Sequence, residues 1–286
     1  MKPQPLTRVA IYRRELSVSI ERVWENVFDW EHLPWLHRTS FRLIERVVSG
    51  PWGWRTWVGL HPQPADSSRS SSPLGIEPER TDPEILLELL VDRTRLQYVA
   101  RTLEGPGANT EIWTRLEPHP EGTGIEVQFL VPGVDPAAAE GVGAVFTRLY
   151  RQLWDEDEAM MNRREAELSR SPAREEGIHS VEIGCLDEVR GRVPFVVNRG
   201  GRRYRIVELS GRLVAHATEC PHMLGPLAEA PIEHGCVVCP WHGYRYDLDT
   251  GESADGRGLR LAPAPDVRID ADQERVFLEW DGVPRR

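Results

Sequence analysis

Two stretches of sequence decide the fold of the C-terminal part of the chain: CPHMLGPL, residues 220–227, and CPWHGYRYDLDTG, residues 239–251. The first stretch carries Cys220 and His222, and the second carries Cys239 and His242. Two thiolates and two imidazoles on paired loops form a metal site. Ligand sets of this kind bind either a structural, tetrahedral zinc ion or an iron–sulfur cluster.

The residues around these ligands favour the cluster. Both stretches resemble the two cluster-binding boxes of Rieske proteins, which implies a [2Fe-2S] cluster. The resemblance assigns Cys220 and Cys239 to one iron, and the two histidines to the other. Replacing two thiolates by neutral imidazoles raises the reduction potential above that of a four-cysteine ferredoxin. Tyr246 stands at the position whose hydroxyl can reach a ligand sulfur and tune the cluster.

The boxes depart from those of cytochrome bc-type Rieske proteins at two points. Those proteins add a disulfide between the loops, but the matching positions here are Gly225 and Trp241. The serine that they place after the second His-Gly is Tyr244 here. Fewer hydrogen bonds to the cluster sulfurs favour a lower potential, so the pattern is similar to the oxygenase and ferredoxin branch.

The composition narrows the class of protein. The 286 residues include 45 acidic and 35 basic side chains, a net charge of −10, which argues against a nucleic-acid partner. No apolar run approaches the roughly 20 residues that span a bilayer, so no membrane association is expected. The first ten residues lack an apolar signal segment, which predicts a cytoplasmic protein. Four cysteines in that reducing compartment favour metal or redox roles over disulfides.

Two domains are predicted, residues 1–168 and 178–286, joined by a polar linker, 169–177. The first domain opens with a strand pattern and two short helical segments, followed by six strand-like segments between residues 41 and 131. A long helix is predicted from about residue 137 to 168, and the Ser- and Pro-rich segment 61–83 is predicted to be a loop. The second domain shows short strands separated by Gly and Pro, which predicts an all-β module.

The element order of the first domain resembles the helix-grip fold of START-like lipid carriers, polyketide cyclases and the catalytic domains of Rieske oxygenases. In that fold an antiparallel sheet wraps around the long C-terminal helix and leaves an apolar cavity. The expected fold class is therefore an α+β helix-grip domain followed by an all-β Rieske domain.

Residues 25–37, ENVFDWEHLPWLH, contain a second set of candidate ligands. Asp29 and His32 are three residues apart, so on a helix they share a face. A bend at Pro34 can turn His37 back toward His32. Two histidines need one carboxylate to form the 2-His-1-carboxylate triad of non-haem Fe(II) oxygenases, which leaves coordination positions open for O₂.

The same stretch resembles the catalytic-iron motif of Rieske oxygenases, especially the form E-N-x-x-D-x-x-H-x-P-x-x-H of chlorophyllide- and pheophorbide-type enzymes. The resemblance implies that His32 and His37 bind a mononuclear iron. It also implies that Asp29 links a histidine of the Rieske cluster to an iron-bound histidine, and that Asn26 belongs to the catalytic motif. Helix-grip proteins without metal also place Asp, Leu-Pro and Trp here, so a purely structural role is the alternative.

The third iron ligand is expected from the long helix, as in that family. Asp157 falls on the inward face of this helix, where burying a carboxylate is costly unless it is paired or coordinates metal. Glu156 lies at the margin of the same face and is the alternative ligand. The alternative to a metal site is an acidic helix face that is exposed to solvent and binds no metal. The apolar residues that define the inward face by helical spacing are Val142, Phe146, Leu149, Leu153 and Met160.

Taken together, the motifs resemble a Rieske non-haem iron oxygenase whose Rieske domain is C-terminal rather than first. The resemblance implies a [2Fe-2S] cluster, a mononuclear Fe(II), O₂, and a small apolar or aromatic substrate. The chain has no Gly-rich dinucleotide fingerprint, so a separate NAD(P)H-dependent reductase or ferredoxin is expected to supply electrons. Members of the family are typically ring trimers, which predicts a homotrimer.

A second interpretation comes from a different class of protein. A helix-grip ligand-binding module fused to a Rieske electron carrier would have the same elements without iron at His32 and His37. Such a protein would bind an apolar ligand or transfer electrons without oxygenase activity.

Overall fold

The computed structural model describes residues 4–61, 84–170, 180–270, 272 and 274–280. The chain divides into two compact units, residues 1–162 and 163–286. Residues 62–83 of the predicted loop and 171–177 of the predicted linker lie outside the described residues. Within the described ranges, none of the helices is apolar over a length that could cross a membrane.

A seven-stranded antiparallel sheet makes up most of the first unit. The six strand-like segments predicted after residue 41 are confirmed as the second to seventh strands. The spatial order is β1-β7-β6-β5-β4-β3-β2, so the first strand pairs with the last one. The strands are β1 (Leu6–Leu16), β2 (Phe41–Gly50), β3 (Gly53–Leu60), β4 (Ile85–Asp92), β5 (Gln97–Glu104), β6 (Glu111–His119) and β7 (Gly122–Pro132).

Strand β7 shows why one face of this sheet is buried. Successive side chains of a strand point to opposite faces. Ile125, Val127 and Phe129 are buried, whereas the alternating Glu126 and Gln128 are partly exposed. This period of two places an apolar row of β7 against the core of the unit.

Three short segments connect β1 to β2: helix α1 (Ile20–Phe28), a 3₁₀ turn (Trp30–His32) and helix α2 (Leu33–Leu36). Helix α1 buries Val23, Trp24 and Val27, which recur at helical spacing. Pro34 lies in the first turn of α2, where its missing N–H leaves no helical bond unmade. The two short helices predicted here are confirmed, but the break after α1 falls at Asp29, whose ψ of 76° is not helical, rather than at Pro34.

Helix α3 (Ala139–Leu168) begins two residues after its predicted start and packs on the sheet. The Phe129 ring of β7 stacks on Phe146 with centroids 5.1 Å apart, and meets Tyr150 edge-on at 4.8 Å. A Cβ at Gly143 would lie 2.3 Å from the Val9 carbonyl oxygen, so only glycine permits this close approach of α3 to β1.

The second unit is built from three small antiparallel sheets of three strands, which confirms the predicted all-β architecture. Their orders are β11-β10-β9, β12-β13-β14 and β15-β16-β8. Strand β8 and the short helix α4 (Leu186–Arg192) are not among the predicted elements. The strands are β8 (Ser180–Cys185), β9 (Phe195–Arg199), β10 (Arg202–Leu209), β11 (Arg212–Ala217), β12 (Ile232–Glu233), β13 (Cys236–Val238), β14 (Arg245–Asp247), β15 (Asp266–Asp270) and β16 (Arg275–Glu279).

Candidate metal centres

The first Cys/His box forms a tight loop closed by two backbone hydrogen bonds. The carbonyl of Cys220 accepts a hydrogen bond from the N–H of Leu224, and the N–H of Cys220 donates to the carbonyl of Gly225, both at 2.9 Å. Leu224 has a φ of 62°, in the left-handed region that few residues other than glycine adopt. A non-glycine residue held there indicates that the surrounding loop imposes the conformation.

The second box repeats this arrangement after β13. The carbonyl of Cys239 accepts from the N–H of Gly243, and the N–H of Cys239 donates to the carbonyl of Tyr244, both at 2.8 Å. Gly243 has a φ of 66° and lies four residues after Cys239, as Leu224 lies four residues after Cys220. The two loops therefore present their cysteines through the same backbone geometry.

The two cysteine thiols are fully buried and contact each other. The hydrogen bond with Cys239 lowers the pKa of Cys220 to about 6 despite its burial, and Tyr246 and the backbone N–H of His222 add to this effect. The same pairing and burial raise the pKa of Cys239, against backbone hydrogen bonds that include the N–H of His242. The Tyr246 hydroxyl lies 3.2 Å from the Cys220 sulfur, within the reach proposed for it from the sequence.

The two histidines of the boxes face each other. The rings of His222 and His242 have centroids 4.5 Å apart and planes at 82°. Tyr244 stacks on His222 at 4.5 Å, and the guanidinium of Arg257 lies 3.9 Å above the Tyr244 ring centroid while it donates to the Tyr244 hydroxyl at 2.9 Å. Asp255 accepts a further hydrogen bond from Arg257 at 2.9 Å. Arg257, the Tyr244 ring and the His222 ring thus form a stack that leads from the protein surface to a candidate cluster ligand.

Gly225 keeps the space beside the sulfurs open. A Cβ at this position would lie 2.8 Å from the Cys239 sulfur and 3.1 Å from the Trp241 ring. All four cysteines are free thiols, so no disulfide joins the loops. The site thus offers two buried thiols and two adjacent imidazoles, which are the donor set of a Rieske-type [2Fe-2S] cluster. It also offers the space beside Gly225, which a single methyl group would fill.

In the first unit, three buried side chains converge from distant segments: His32 ends the 3₁₀ turn, His37 follows α2, and Asp157 lies on α3. One ligand atom from each lies within 4.8 Å of the others. The Asp157 Oδ1 atom is 3.4 Å from His32 Nε2 and 3.1 Å from His37 Nε2. Among the described residues, neither Asp157 Oδ1 nor His32 Nε2 makes a hydrogen bond, although both are buried. A cation between these atoms would satisfy them, so the residues fit a metal ion.

The other ring nitrogens of the two histidines also face carboxylates. Glu156 Oε2 lies 2.6 Å from His37 Nδ1, and Asp29 Oδ2 lies 3.6 Å from His32 Nδ1. Gln152 holds the second Glu156 oxygen at 3.2 Å. Metal-bound histidines commonly donate their distal N–H to a carboxylate, which fixes the ring orientation and tautomer. Glu156, the alternative ligand from the sequence, therefore has the position of an orienting group, while Asp157 has the position of a ligand.

Burial and neighbouring charges shift the pKa values of His32 and Asp157. Burial lowers the pKa of His32, but the carboxylates of Asp157 and Asp29 outweigh burial and raise it to about 10. Burial raises the pKa of Asp157, but His37 and His32 outweigh burial and hold it below the usual carboxyl range. A metal that binds here must displace the His32 proton, so its affinity would rise with pH.

A pocket of about 140 Å³ opens beside these three groups, and Asn26 and Asp29 also line it. The buried Asn26 Oδ1 has no hydrogen-bond partner in the described part of the chain. Sequence reasoning missed two phenols in the wall of this pocket, Tyr98 of β5 and Tyr150 of α3. Tyr150 could have been found from its spacing, because it lies seven residues, or about two helical turns, before Asp157.

The fold and ligands of the second unit define an iron–sulfur domain of the Rieske type. Residues 179–264 match the family model described as the Rieske [2Fe-2S] domain. The C-terminal part of the chain is thus a Rieske [2Fe-2S] electron-carrier domain, and a [2Fe-2S] cluster is its implied cofactor.

Individual relatives and solved structures are similar to parts of the chain. Apoptosis-inducing factor 3 of Homo sapiens is 32% identical over 82 residues, which cover 29% of this chain and 13% of the relative. The ferredoxin of carbazole 1,9a-dioxygenase from Nocardioides aromaticivorans is 21% identical, with a TM-score of 0.31, over 36% of this chain and 98% of its own. The protein TTHA0849 from Thermus thermophilus is 17% identical, with a TM-score of 0.40, over 53% of this chain and 95% of its own.

Proposed function

We propose that the protein is the oxygenase component of a Rieske-type non-haem iron system that oxidises a small apolar or aromatic substrate with O₂. The observation that carries this proposal is the convergence of His32, His37 and Asp157 in a buried pocket, within a chain that also contains a Rieske domain. Two imidazoles and one carboxylate on one side of a pocket are the ligand set of a mononuclear Fe(II) with open coordination positions.

The bound groups would supply the redox chemistry: the [2Fe-2S] cluster transfers single electrons, and Fe(II) in a 2-His-1-carboxylate site activates O₂. The chain's residues hold and orient these groups. Cys220, Cys239, His222 and His242 would bind the cluster. Tyr246 supports this assignment because its hydroxyl lies at hydrogen-bond distance from the Cys220 sulfur.

At the second centre, Glu156 orients His37, and Asp29 contacts His32. We assign to Asp29 the further role of a bridge for electrons from the cluster, and to Asn26 a polar contact beside the metal. The antiparallel sheet with one long helix is proposed to be a helix-grip domain, whose apolar wall excludes water and binds the substrate. A separate NAD(P)H-dependent reductase or ferredoxin is proposed as the electron donor.

The second candidate function is a ligand-binding module fused to a Rieske electron carrier. The apolar lining of the pocket supports it equally, since such a pocket binds a ligand without any metal. The two functions differ in the amount of iron that the protein holds.

Metal analysis of the whole chain tests the proposal. Purified protein reconstituted with iron and sulfide should contain about three irons per chain, two from the cluster and one from the second centre. His37→Ala should lower this content to about two and leave the Rieske electron paramagnetic resonance signal intact. His119→Ala, at a partly exposed histidine of the same unit that pairs with Glu15, is the matched control and should keep three irons. Two irons in the unmutated protein would favour the fusion instead.

A further inference from the structure

Tyr244 of the second unit contacts both histidines of the cluster site. Its side chain is buried, and its ring stacks on the His222 ring with centroids 4.5 Å apart. The His242 ring lies 5.6 Å from it at a tilt of 59°. The Tyr244 hydroxyl accepts a hydrogen bond from Arg257 at 2.9 Å. A charge that is held against the Tyr244 ring therefore lies close to the imidazole side of the site.

A tight loop holds Arg257 against this ring. Gly256 and Gly258 flank Arg257 and have φ values of 72° and 69°, left-handed conformations that glycine adopts without strain. The loop is anchored at its start, where the Ala254 N–H donates to the first carbonyl of β14 at 2.9 Å. The Arg257 guanidinium lies 3.9 Å from the Tyr244 ring centroid, within the range of a cation–π contact. The backbone and the ring thus both fix the position of the cation.

Asp255, at the start of the same loop, opposes the charge of Arg257. Its carboxylate oxygen lies 2.9 Å from the Arg257 Nε atom, and the two side chains are 40% (Arg257) and 27% (Asp255) exposed. The guanidinium is the member of this ion pair that contacts the Tyr244 ring. One positive and one negative charge therefore lie beside the cluster site, and each can be removed separately by a substitution of similar size.

Such charges act on the two oxidation states of a cluster unequally. Reduction of a [2Fe-2S] cluster adds one negative charge, and the net charge of the surroundings is one of the factors that set its potential. A nearby cation stabilises the reduced state by Coulomb attraction, and a nearby anion destabilises it. Because Tyr244 is buried, solvent screens these interactions less than it does at an open surface.

We propose that Arg257 and Asp255 tune the reduction potential of the Rieske centre in opposite directions: Arg257 raises the potential and Asp255 lowers it. Both are positioning residues in this sense, since Arg257 acts through Tyr244, which contacts His222, and Asp255 acts through its ion pair with Arg257. The proposal requires the Rieske domain but not the second metal centre, so it goes beyond the proposed oxygenase function and does not depend on it.

Redox titration of the reconstituted full chain, followed by circular dichroism of the cluster, tests the proposal. Arg257→Gln replaces the cation with a neutral amide. The equilibrium constant for reduction should fall about threefold, which for one electron is a shift of about 28 mV to lower potential. Asp255→Asn should shift the potential upward. The double variant should lie between the two single variants, because the two charges oppose each other.

Two further variants separate charge from packing. Arg257→Lys keeps the positive charge and should retain most of the potential of the unmutated protein. Arg212→Gln is the matched control, because Arg212 pairs with Asp249 in the same unit but their side chains are 65% and 62% exposed. Solvent screens such a pair, so the potential should stay the same.

The opposite signs make the proposal easy to contradict. A downward shift in both Arg257→Gln and Asp255→Asn would show that the loop acts through packing, and no shift in either would show that its charges do not reach the cluster. Either result would overturn the proposal. The electron paramagnetic resonance signal of each variant shows whether the cluster is still bound. If Arg257→Gln loses the cluster, the upward shift expected for Asp255→Asn still decides the question.

Discussion

At the scale of single residues, His37 is held at both of its ring nitrogens by neighbouring carboxylates of α3. Glu156 lies 2.6 Å from Nδ1 and Asp157 lies 3.1 Å from Nε2. Adjacent residues of a helix point about 100° apart, so the two carboxylates can reach the two sides of one ring. With a metal at Nε2, Glu156 would fix the tautomer that leaves the Nε2 lone pair available.

Removal of the Glu156 carboxylate should therefore weaken the second metal centre without abolishing it. Glu156→Ala is expected to lower the affinity for Fe(II), or for Co(II) as a spectroscopic substitute, by about 10- to 100-fold. Glu156→Gln keeps an oxygen that can accept from Nδ1–H and should recover part of this loss. Metal titration under anaerobic conditions, followed by absorption, measures both effects.

The matched control for this prediction is Asp155→Asn on the same helix. Asp155 is exposed and pairs with Arg14, so its substitution should leave metal affinity unchanged. If Glu156→Ala removes metal as completely as Asp157→Ala does, Glu156 is a direct ligand and its orienting role is wrong.

The sequence predicts the residues of this centre better than their roles. Helical spacing indicates both Asp157 and Glu156 as candidates, because they lie at opposite margins of one apolar face. What separates them is the position of His37, which is 119 residues away from Glu156 along the chain. Contacts over such a distance depend on the packing of α3 against the segment that follows α1, and no local pattern encodes them.

At the scale of elements, α3 serves both the sheet and the site. The helix is 30 residues long. Its residues Tyr150, Trp154 and Asp157 line the pocket, and Phe146 stacks on Phe129 of β7. Periodicity predicts this helix and a strand such as β7 because each buries one face, which imposes a regular spacing of apolar residues. Strand β8 and helix α4 escape prediction because they are short: β8 alternates over residues 180–183 alone, and α4 buries one residue, Val189.

Two glycines of α3 give a matched pair for testing how closely the helix approaches β1. Gly143→Ala would drive a methyl group against the Val9 carbonyl oxygen, which lies 2.3 Å from the ideal Cβ position. The substitution should lower the free energy of unfolding by about 1–3 kcal/mol, as overpacking does. Gly141→Ala meets nothing within 4 Å and should raise it by about 0.5–1 kcal/mol, because alanine loses less backbone entropy in a helix.

Urea denaturation of the full chain, followed by far-ultraviolet circular dichroism, measures both values. Stabilisation by Gly143→Ala of the same size as by Gly141→Ala would show that α3 lies farther from β1 than described.

At the scale of the whole molecule, each unit has a hydrophobic core of its own. The second unit also buries His216 of β11, a titratable residue outside the proposed metal centres. Its Nδ1–H donates to the Ala217 carbonyl at 2.9 Å. Burial lowers the pKa of His216 to about 4, and the charge of Arg205 contributes in the same direction. The folded protein thus holds this imidazole neutral.

This burial makes the stability of the second unit depend on pH. The folded pKa of about 4 lies below the ordinary value of 6.5, so the unfolded chain binds the extra proton between these values. The contribution is complete above pH 6.5 and is lost as the pH falls to about 4, a change of about 3 kcal/mol. His216→Asn should flatten this part of the stability profile, measured by denaturant unfolding at each pH.

His234→Asn is the control, because His234 is exposed and its positive φ suits asparagine. An unchanged pH profile in His216→Asn would show that His216 is already charged in the folded state.

The pairing of β1 with β7 has a consequence for the synthesis of the chain. Leu6 pairs with Pro132 and Leu16 with Thr123, so the first strand has no partner until roughly 100 further residues have left the ribosome. At about 5–20 residues per second, this wait is on the order of 10 s. Throughout that interval the apolar side of β1, including Tyr12 and Leu16, faces solvent. We thus expect a chaperone to bind β1 in the nascent chain during the interval before β7 emerges.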